Sequence, residues 1–156
     1  CRVSDRNKLN MTFSVVNHVS FTVDSLDQAI GMFSNCLGAK LISRSVAANP
    51  RGIPVLTGVA DAQVEFAFMQ LGNVTVEFVE YLLPREKGTF LPRPCDRGFS
   101  HLAVNVDSVD EISKNAKAFG FKQIGGVIEM LGGPDKGKKA VYIRSEDGLT
   151  LELIGN

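Results

Sequence analysis

The sequence predicts an α+β fold built from two tandem β-α-β-β-β modules, whose strands form a pair of curved mixed sheets. The first observation is a repeat: VNHVSFTVDSLDQAIGMF begins at residue 16 and FSHLAVNVDSVDEISKNA begins at residue 99. The second is that both halves close on similar segments, NVTVEFV at 73–79 and GLTLELI at 148–154. The third is a helix signal after each opening segment. Internal repetition on this scale decides the architecture of a chain, so we expect two equivalent modules.

The first strand of each module is predicted from strict alternation. Aliphatic or aromatic residues alternate with small, polar or histidine residues in both halves: Val19, Phe21 and Val23 against His18, Ser20 and Thr22, then Leu102, Val104 and Val106 against His101, Ala103 and Asn105. Alternation with a period of two gives a strand two different faces. One face is expected to pack on a helix, and the other carries the histidine.

A helix is predicted after each first strand. The segments 25–28 (SLDQ) and 108–111 (SVDE) are capping boxes with an acidic first turn. Apolar residues then recur on one helical face up to Gly38 and Gly120, which stand where a left-handed C-cap is needed.

Three further strands are predicted in each module, at about 39–45, 63–71 and 74–81, and at about 121–129, 138–144 and 149–154. The last strands carry Glu77 and Glu152 at equivalent positions, each flanked by core-type residues. A glutamate placed in this way points to the sheet face opposite the helix.

The domain organisation follows from the repeat. Residues 1–13 are assigned to an N-terminal extension and residues 14–155 to one domain, with modules at about 14–82 and 97–155. The chain opens at Cys1 rather than at methionine. Met11 could be a native start, or Cys1 could follow a removed leader. A cytoplasmic location is expected, and a lipoprotein or exported form stays open.

Composition restricts the class of partner. The formal net charge is zero, 44% of residues are hydrophobic and 22% are charged, which indicates a globular protein that binds no nucleic acid. The apolar runs are too short to span a membrane. The cysteines Cys1, Cys36 and Cys95 show no metal-ligand or paired spacing, so free thiols in a reducing compartment are expected.

Metal binding is predicted from four residues. His18 and His101 are the only two histidines, and Glu77 and Glu152 repeat in the same way. If the halves pair about a pseudo-twofold axis, these four side chains converge in a cup. Two imidazoles and two carboxylates suit Zn, Ni, Co, Fe or Mn. The competing interpretation is that each residue is structural or solvated, and that repeat symmetry alone preserves them.

The chain resembles the vicinal oxygen chelate superfamily over about residues 14–155. This superfamily includes glyoxalase I, methylmalonyl-CoA epimerase, type I extradiol dioxygenases, and fosfomycin- and bleomycin-resistance proteins. The segments that carry the resemblance are NHV from residue 17, VEFV from residue 76, FSHLA from residue 99 and SEDGLTLEL from residue 145. The superfamily hosts many reactions on one scaffold, so the resemblance identifies the fold more closely than the chemistry.

The resemblance implies a divalent-metal-dependent lyase or isomerase of the glyoxalase or epimerase type. His18, Glu77, His101 and Glu152 would bind one ion, which could be Zn, Ni, Co, Mn or Fe. The reaction would be proton transfer on a 2-oxo compound or thioester through a metal-stabilised enolate, with Glu77 or Glu152 as the base.

Several alternatives stay open. An Fe(II) extradiol dioxygenase would use His18, His101 and Glu152, and a non-catalytic protein would only bind a small molecule such as an antibiotic. A homodimer is expected, with the site either within one chain or across two. An anionic substrate could contact basic residues in the segment 44–62 and after Gly132 and Gly133, which are Arg44, Arg51, Lys136, Lys138 and Lys139.

Overall fold

A computed structural model describes residues 15–156, and the assigned extension at 1–13 lies outside them. The first half contains β1 (Val19–Val23), α1 (Leu26–Leu37), β2 (Lys40–Val46), α2 (Gly52–Thr57), β3 (Gln63–Leu71) and β4 (Val74–Leu83). The second half contains β5 (Leu102–Val106), α3 (Val109–Asn115), a 3-10 turn (Ala116–Phe119), β6 (Lys122–Gln123), β7 (Ile128–Glu129), β8 (Lys139–Arg144) and β9 (Thr150–Gly155). The predicted α+β class with two sheets of mixed strands is confirmed.

The two sheets have the same topology. The first has the strand order β1-β4-β3-β2, and the second has the order β5-β9-β8-β6, with β7 also pairing with β8. In each sheet the first strand of the module runs parallel to the last, and the other neighbours are antiparallel. β1 and β5 therefore lie at equivalent edges of their sheets.

The predicted helix caps are confirmed in both halves. The Ser25 hydroxyl accepts a hydrogen bond from the backbone N–H of Gln28 at 3.3 Å, and Ser108 accepts one from Glu111 at 3.2 Å. The helical segments end at Gly38 and Gly120, whose φ angles of 67° and 80° are left-handed. The local sequence thus determines where each helix begins and ends.

Two sequence predictions need correction. The expected strand at 121–129 is broken into β6 and β7, with Gly125 and Gly126 between them. Adjacent glycines weaken a strand because they lose more backbone entropy than other residues when the strand forms, and they have no side chain to pack. The connection between β2 and β3, for which the sequence predicts no helix, contains α2, whose six residues are too few to produce a helical period.

The helices of both modules share one core. α1 packs against β3 and β4 of its own sheet and also against α3 and the 3-10 turn. The largest fully buried side chains come from both halves: Leu26, Met32, Phe33, Met69, Val76, Phe78, Val109, Ile143, Leu151 and Leu153. Because residues alternate along a strand, Glu77 and Glu152 point away from this core.

The structure also bears on the predictions about membrane spans and free cysteines. Within residues 15–156, no helix is long and apolar enough to cross a membrane. Cys36 and Cys95 are free thiols, and burial raises the pKa of the Cys36 thiol. Cys1 lies outside the described residues.

Candidate metal centre

The first half of the site is a His–Glu pair on the outer face of the first sheet. His18 immediately precedes β1, and the parallel register places Ser20 beside Glu77. The Nε2 atom of His18 lies 3.4 Å from Oε2 of Glu77. Its Nδ1 atom lies 2.6 Å from Oδ1 of Asn17. With Nδ1–H donating to the Asn17 amide oxygen, Nε2 carries the lone pair that a metal ion needs.

The second half repeats this pair on the second sheet. His101 precedes β5, and the register places Ala103 beside Glu152. The Nε2 atom of His101 lies 3.1 Å from Oε2 of Glu152. Two strands that pair in parallel thus bring a histidine and a glutamate together in each module, although they lie 59 and 51 positions apart in sequence.

Each pair has the spacing of two ligands on one metal ion. Two donors bound at about 2.0–2.2 Å, with angles at the metal between about 90° and 109°, lie about 2.8–3.6 Å apart. The observed separations are 3.4 and 3.1 Å. The histidines are about one-third exposed, and Glu77 and Glu152 are 14% and 23% exposed. The donor set therefore fits a divalent ion that is reached from the outer face of each sheet.

The two pairs do not meet within one chain. Among residues 15–156, no group of three or more histidine, cysteine, aspartate or glutamate side chains is placed to hold a metal ion. The reason is the shared helical core: each pair lies on the sheet face turned away from it. Among residues 15–156, the predicted convergence of His18, Glu77, His101 and Glu152 on one ion thus does not occur within a single chain.

An aromatic ring supports each histidine, and neither ring was identified from the sequence. Phe68 lies edge-on to His18, with ring centroids 5.7 Å apart, and Tyr142 lies 5.0 Å from His101. The strand registers pair Phe68 with Glu77 and Tyr142 with Glu152, so the rings occupy equivalent positions. These two rings can be identified only when the cross-strand register is known, and the sequence does not state that register.

Of the two equivalent rings, Phe68 and Tyr142, only Tyr142 carries a polar group, its phenol hydroxyl. Burial raises its pKa, and the negative charge of Glu152 raises it further. Both causes disfavour the phenolate, so the side chain is a neutral hydrogen-bond donor at neutral pH. Phe99 completes the group, with its ring 5.6 Å from His101 and 5.8 Å from Tyr142.

The basic residues named from the sequence have partners of their own. Arg44 forms a two-point contact with Glu65 and a further ion pair with Asp27. These bonds raise the pKa of the guanidinium, with the Glu65 bond contributing most. Further ion pairs join Lys138 to Asp135 at 2.7 Å and Lys139 to Asp110 at 2.6 Å. Arg51 and Lys136 lie in exposed segments.

Known proteins agree with this architecture. The chain belongs to the glyoxalase/bleomycin resistance protein/dioxygenase superfamily, whose family model matches residues 17–142. It is 36% identical over 143 residues to a 2-epi-5-epi-valiolone epimerase from an Actinomyces species, covering 89% of this chain and 78% of the relative. Human mitochondrial methylmalonyl-CoA epimerase is 26% identical over 142 residues, covering 88% and 72%.

A solved structure has the same fold. A glyoxalase family protein from Bacillus cereus superposes with a TM-score of 0.75 at 24% identity, covering 98% of both chains. Superfamily members typically use a divalent metal ion, and the named relatives indicate an enzyme that acts on a small molecule.

Proposed function

We propose that this protein is a divalent-metal-dependent epimerase or isomerase that transfers a proton at a carbon beside a carbonyl group. The observation that carries the proposal is the pair of His–Glu contacts at repeat-equivalent positions, with donor atoms 3.4 and 3.1 Å apart. The epimerase names of two relatives support this reaction class over ring cleavage.

We further propose that each metal centre is completed by a second copy of the chain. His18 and Glu77 of one copy would face His101 and Glu152 of the other, which gives two equivalent sites in a closed dimer. Two features support this arrangement: each pair lies away from the shared core, and β1 and β5 are edge strands. An edge strand with unpaired backbone groups readily accepts a neighbouring chain.

The residues have distinct roles in this proposal. His18 and His101 would hold the ion through Nε2, and the glutamates would supply carboxylate oxygens. The ion would supply Lewis acidity toward a substrate carbonyl, which lowers the pKa of the adjacent C–H. One glutamate would take the proton from that carbon, and proton return to the opposite face would invert the configuration. Because one glutamate comes from each module, a second carboxylate would be available to return the proton.

Proton transfer is tested by isotope exchange. Protein loaded separately with Co, Ni, Zn, Mn or Fe(II) is assayed with 2-epi-5-epi-valiolone and methylmalonyl-CoA in deuterated buffer, and the products are followed by proton NMR. We expect about one metal ion per chain and loss of the proton signal at the exchanging carbon. Protein that binds no metal contradicts the proposal. Iron-dependent oxygen consumption with a catechol, without exchange, would indicate a dioxygenase instead.

The two-chain site is tested by mixing His18→Ala with His101→Ala. Each variant alone has one damaged residue in every site. A mixed dimer with shared sites has one site that carries both changes and one site that is intact. An equal mixture that is unfolded and refolded together should therefore regain about a quarter of the wild-type metal content and activity. A site formed within one chain would regain nothing.

A further inference from the structure

Arg144 places a positive charge beside the second His–Glu pair. It lies on β8 two residues after Tyr142, so the two side chains share a sheet face. Its guanidinium lies over the ring of Phe99 at 5.6 Å, and that ring lies 5.6 Å from the ring of His101. Arg144 is thus one aromatic side chain away from a candidate metal ligand.

The charge of Arg144 has no carboxylate partner in the part of the chain that the structure describes. Its Nε donates to the Thr150 hydroxyl at 2.8 Å, and Nη2 donates to the carbonyl oxygen of Pro92 at 2.7 Å. Both acceptors are neutral. Within residues 15–156, no carboxylate oxygen lies within 4.0 Å of the guanidinium.

The nearest acidic side chains along the chain are engaged elsewhere. Glu146 pairs with Lys122 at 2.9 Å, and Asp147 accepts the backbone N–H of Asp24 at 2.8 Å. Glu152 lies against His101. The neutral contacts of Arg144 therefore hold the guanidinium in position without neutralising it.

The first module shows that the fold does not need a charge at this position. The strand registers pair Gln70 with Thr75 and Arg144 with Thr150, and these are equivalent places in the repeat. The amide of Gln70 donates to the backbone oxygens of Gly72 and Val74 at 3.0 and 3.2 Å. A neutral amide thus secures the equivalent hairpin.

A partly buried guanidinium without a counter-ion is a binding group for anions. Its planar N–H fork matches the oxygens of a carboxylate or phosphate, and desolvation strengthens such a bond. The stacked ring of Phe99 compensates only part of the lost hydration. Arg44 shows the contrasting case, because Glu65 and Asp27 already neutralise it.

We propose that Arg144 is a specificity residue that binds an anionic group, a carboxylate or a phosphate, on the substrate. This inference rests on the proposed function, since it places the anion beside the metal centre that His101 and Glu152 help to form. The substrate would then carry two parts: an oxygen-bearing reactive end at the metal, and an acidic end at Arg144.

The inference is tested with three chelating probes on the Co(II)-loaded protein. Acetohydroxamate has the chelating group alone, succinohydroxamate adds a carboxylate, and phosphonoacetohydroxamate adds a phosphonate. Dissociation constants are measured by calorimetry, with cobalt content determined for each variant. The variants are Arg144→Gln, which copies Gln70, Arg144→Lys, which keeps the charge, and Arg44→Gln as the control.

We expect the wild-type protein to bind at least one acidic probe about tenfold or more tightly than acetohydroxamate. Arg144→Gln should abolish this preference and leave the acetohydroxamate constant and the cobalt content unchanged. Arg144→Lys should keep part of the preference, and Arg44→Gln should keep all of it. Which acidic probe is preferred distinguishes carboxylate from phosphate.

Two results would overturn the role of Arg144 alone: a wild-type protein that binds all three probes equally, or an Arg144→Gln variant that keeps the preference. A wild-type protein that takes up no cobalt, or binds cobalt but not acetohydroxamate, contradicts the proposed function and the inference together. Thermal unfolding of each variant shows whether it is folded. If Arg144→Gln does not fold, Arg144→Lys and the wild-type probe series still decide the question.

Discussion

At the scale of single residues, His18 differs from His101 in how its ring is held. The Nδ1 atom of His18 is bonded to the Asn17 amide, and the imidazole is also packed against Phe68. His101 packs against the rings of Phe99 and Tyr142, which also contact each other. The bond to Asn17 fixes the orientation of the ring, so that Nε2 of His18 faces the carboxylate of Glu77 at 3.4 Å. A partner that orients the ring of a ligating histidine in this way supports metal binding.

Removing the support of His18 should weaken metal binding. We expect Asn17→Ala to lower Co(II) affinity by about 10- to 100-fold, because partners that orient a ligating histidine contribute this much. Ser100→Ala, which changes the residue before His101, is the matched control and should have little effect. A cobalt titration that gives equal affinities for wild type and Asn17→Ala would show that the amide does not support the ligand.

The base should be one of the two glutamates that face outward beside a histidine. Replacing Glu77 or Glu152 with glutamine keeps an oxygen donor and removes the basic carboxylate. For the residue that acts as the base, metal content should largely remain while turnover falls by about two to four orders of magnitude. Elemental analysis and turnover are measured on both variants. Two variants with wild-type turnover would exclude a glutamate base.

At the scale of elements, the two modules cap their first helix differently. In the first module the side chain of Glu80 accepts the N–H of Leu26 at 2.9 Å. In the second module the backbone oxygen of Asn156 accepts the equivalent N–H of Val109 at 2.9 Å. The first N–H of α1 is thus accepted by a side chain, whereas the first N–H of α3 is accepted by the main chain. The carboxylate of Glu80 also interacts favourably with the helix dipole.

This difference makes α1 sensitive to one substitution. Glu80→Ala should lower the free energy of unfolding of the metal-free protein by about 1–2 kcal/mol, since it leaves a helix N–H without its acceptor. Glu80→Gln keeps an acceptor and should lose less. Urea unfolding followed by circular dichroism measures both. Equal stability of Glu80→Ala and wild type would mean that water replaces the carboxylate without loss.

At the scale of the whole molecule, close packing joins the two modules at Gly31. A Cβ atom on this residue would lie 2.7 Å from Cε1 of Phe119, which belongs to the other module. Gly31→Ala gains helix propensity of about 1 kcal/mol but introduces a clash. In a double-mutant cycle with Phe119→Leu, we expect a coupling free energy of about 1–2 kcal/mol, with the smaller residue relieving the clash. A coupling near zero would mean that the Phe119 ring moves aside without cost and that Gly31 is not needed for this contact.

Metal binding should also stabilise the assembly if two chains share each site. A ligand that binds only the folded dimer adds about 2.7 kcal/mol at 100 times its dissociation constant. We expect chelator treatment to lower the unfolding temperature and to weaken dimerisation, as measured by sedimentation. In the His18→Ala variant, neither the unfolding temperature nor dimerisation should depend on added metal. A wild-type dimer whose affinity is unchanged by metal would argue against shared sites.

The sequence by itself determined the two modules and their local chemistry. Alternation defined the faces of β1 and β5, the serine caps defined the start of each helix, and the repeat singled out His18, Glu77, His101 and Glu152. These features depend on residues close together in the chain, so local rules reach them. The sequence missed α2 and the break at Gly125 and Gly126, where short segments carry little periodic signal.

Only the tertiary structure decided how the modules are arranged. It places the helices of both modules in one core, which turns the two His–Glu pairs away from that core and keeps them apart within a chain. It also shows that Glu65 and Asp27 neutralise Arg44, whereas Arg144 meets no carboxylate among residues 15–156. Such facts depend on contacts between residues far apart in sequence, and no alternation or cap within a module specifies how one module packs on another.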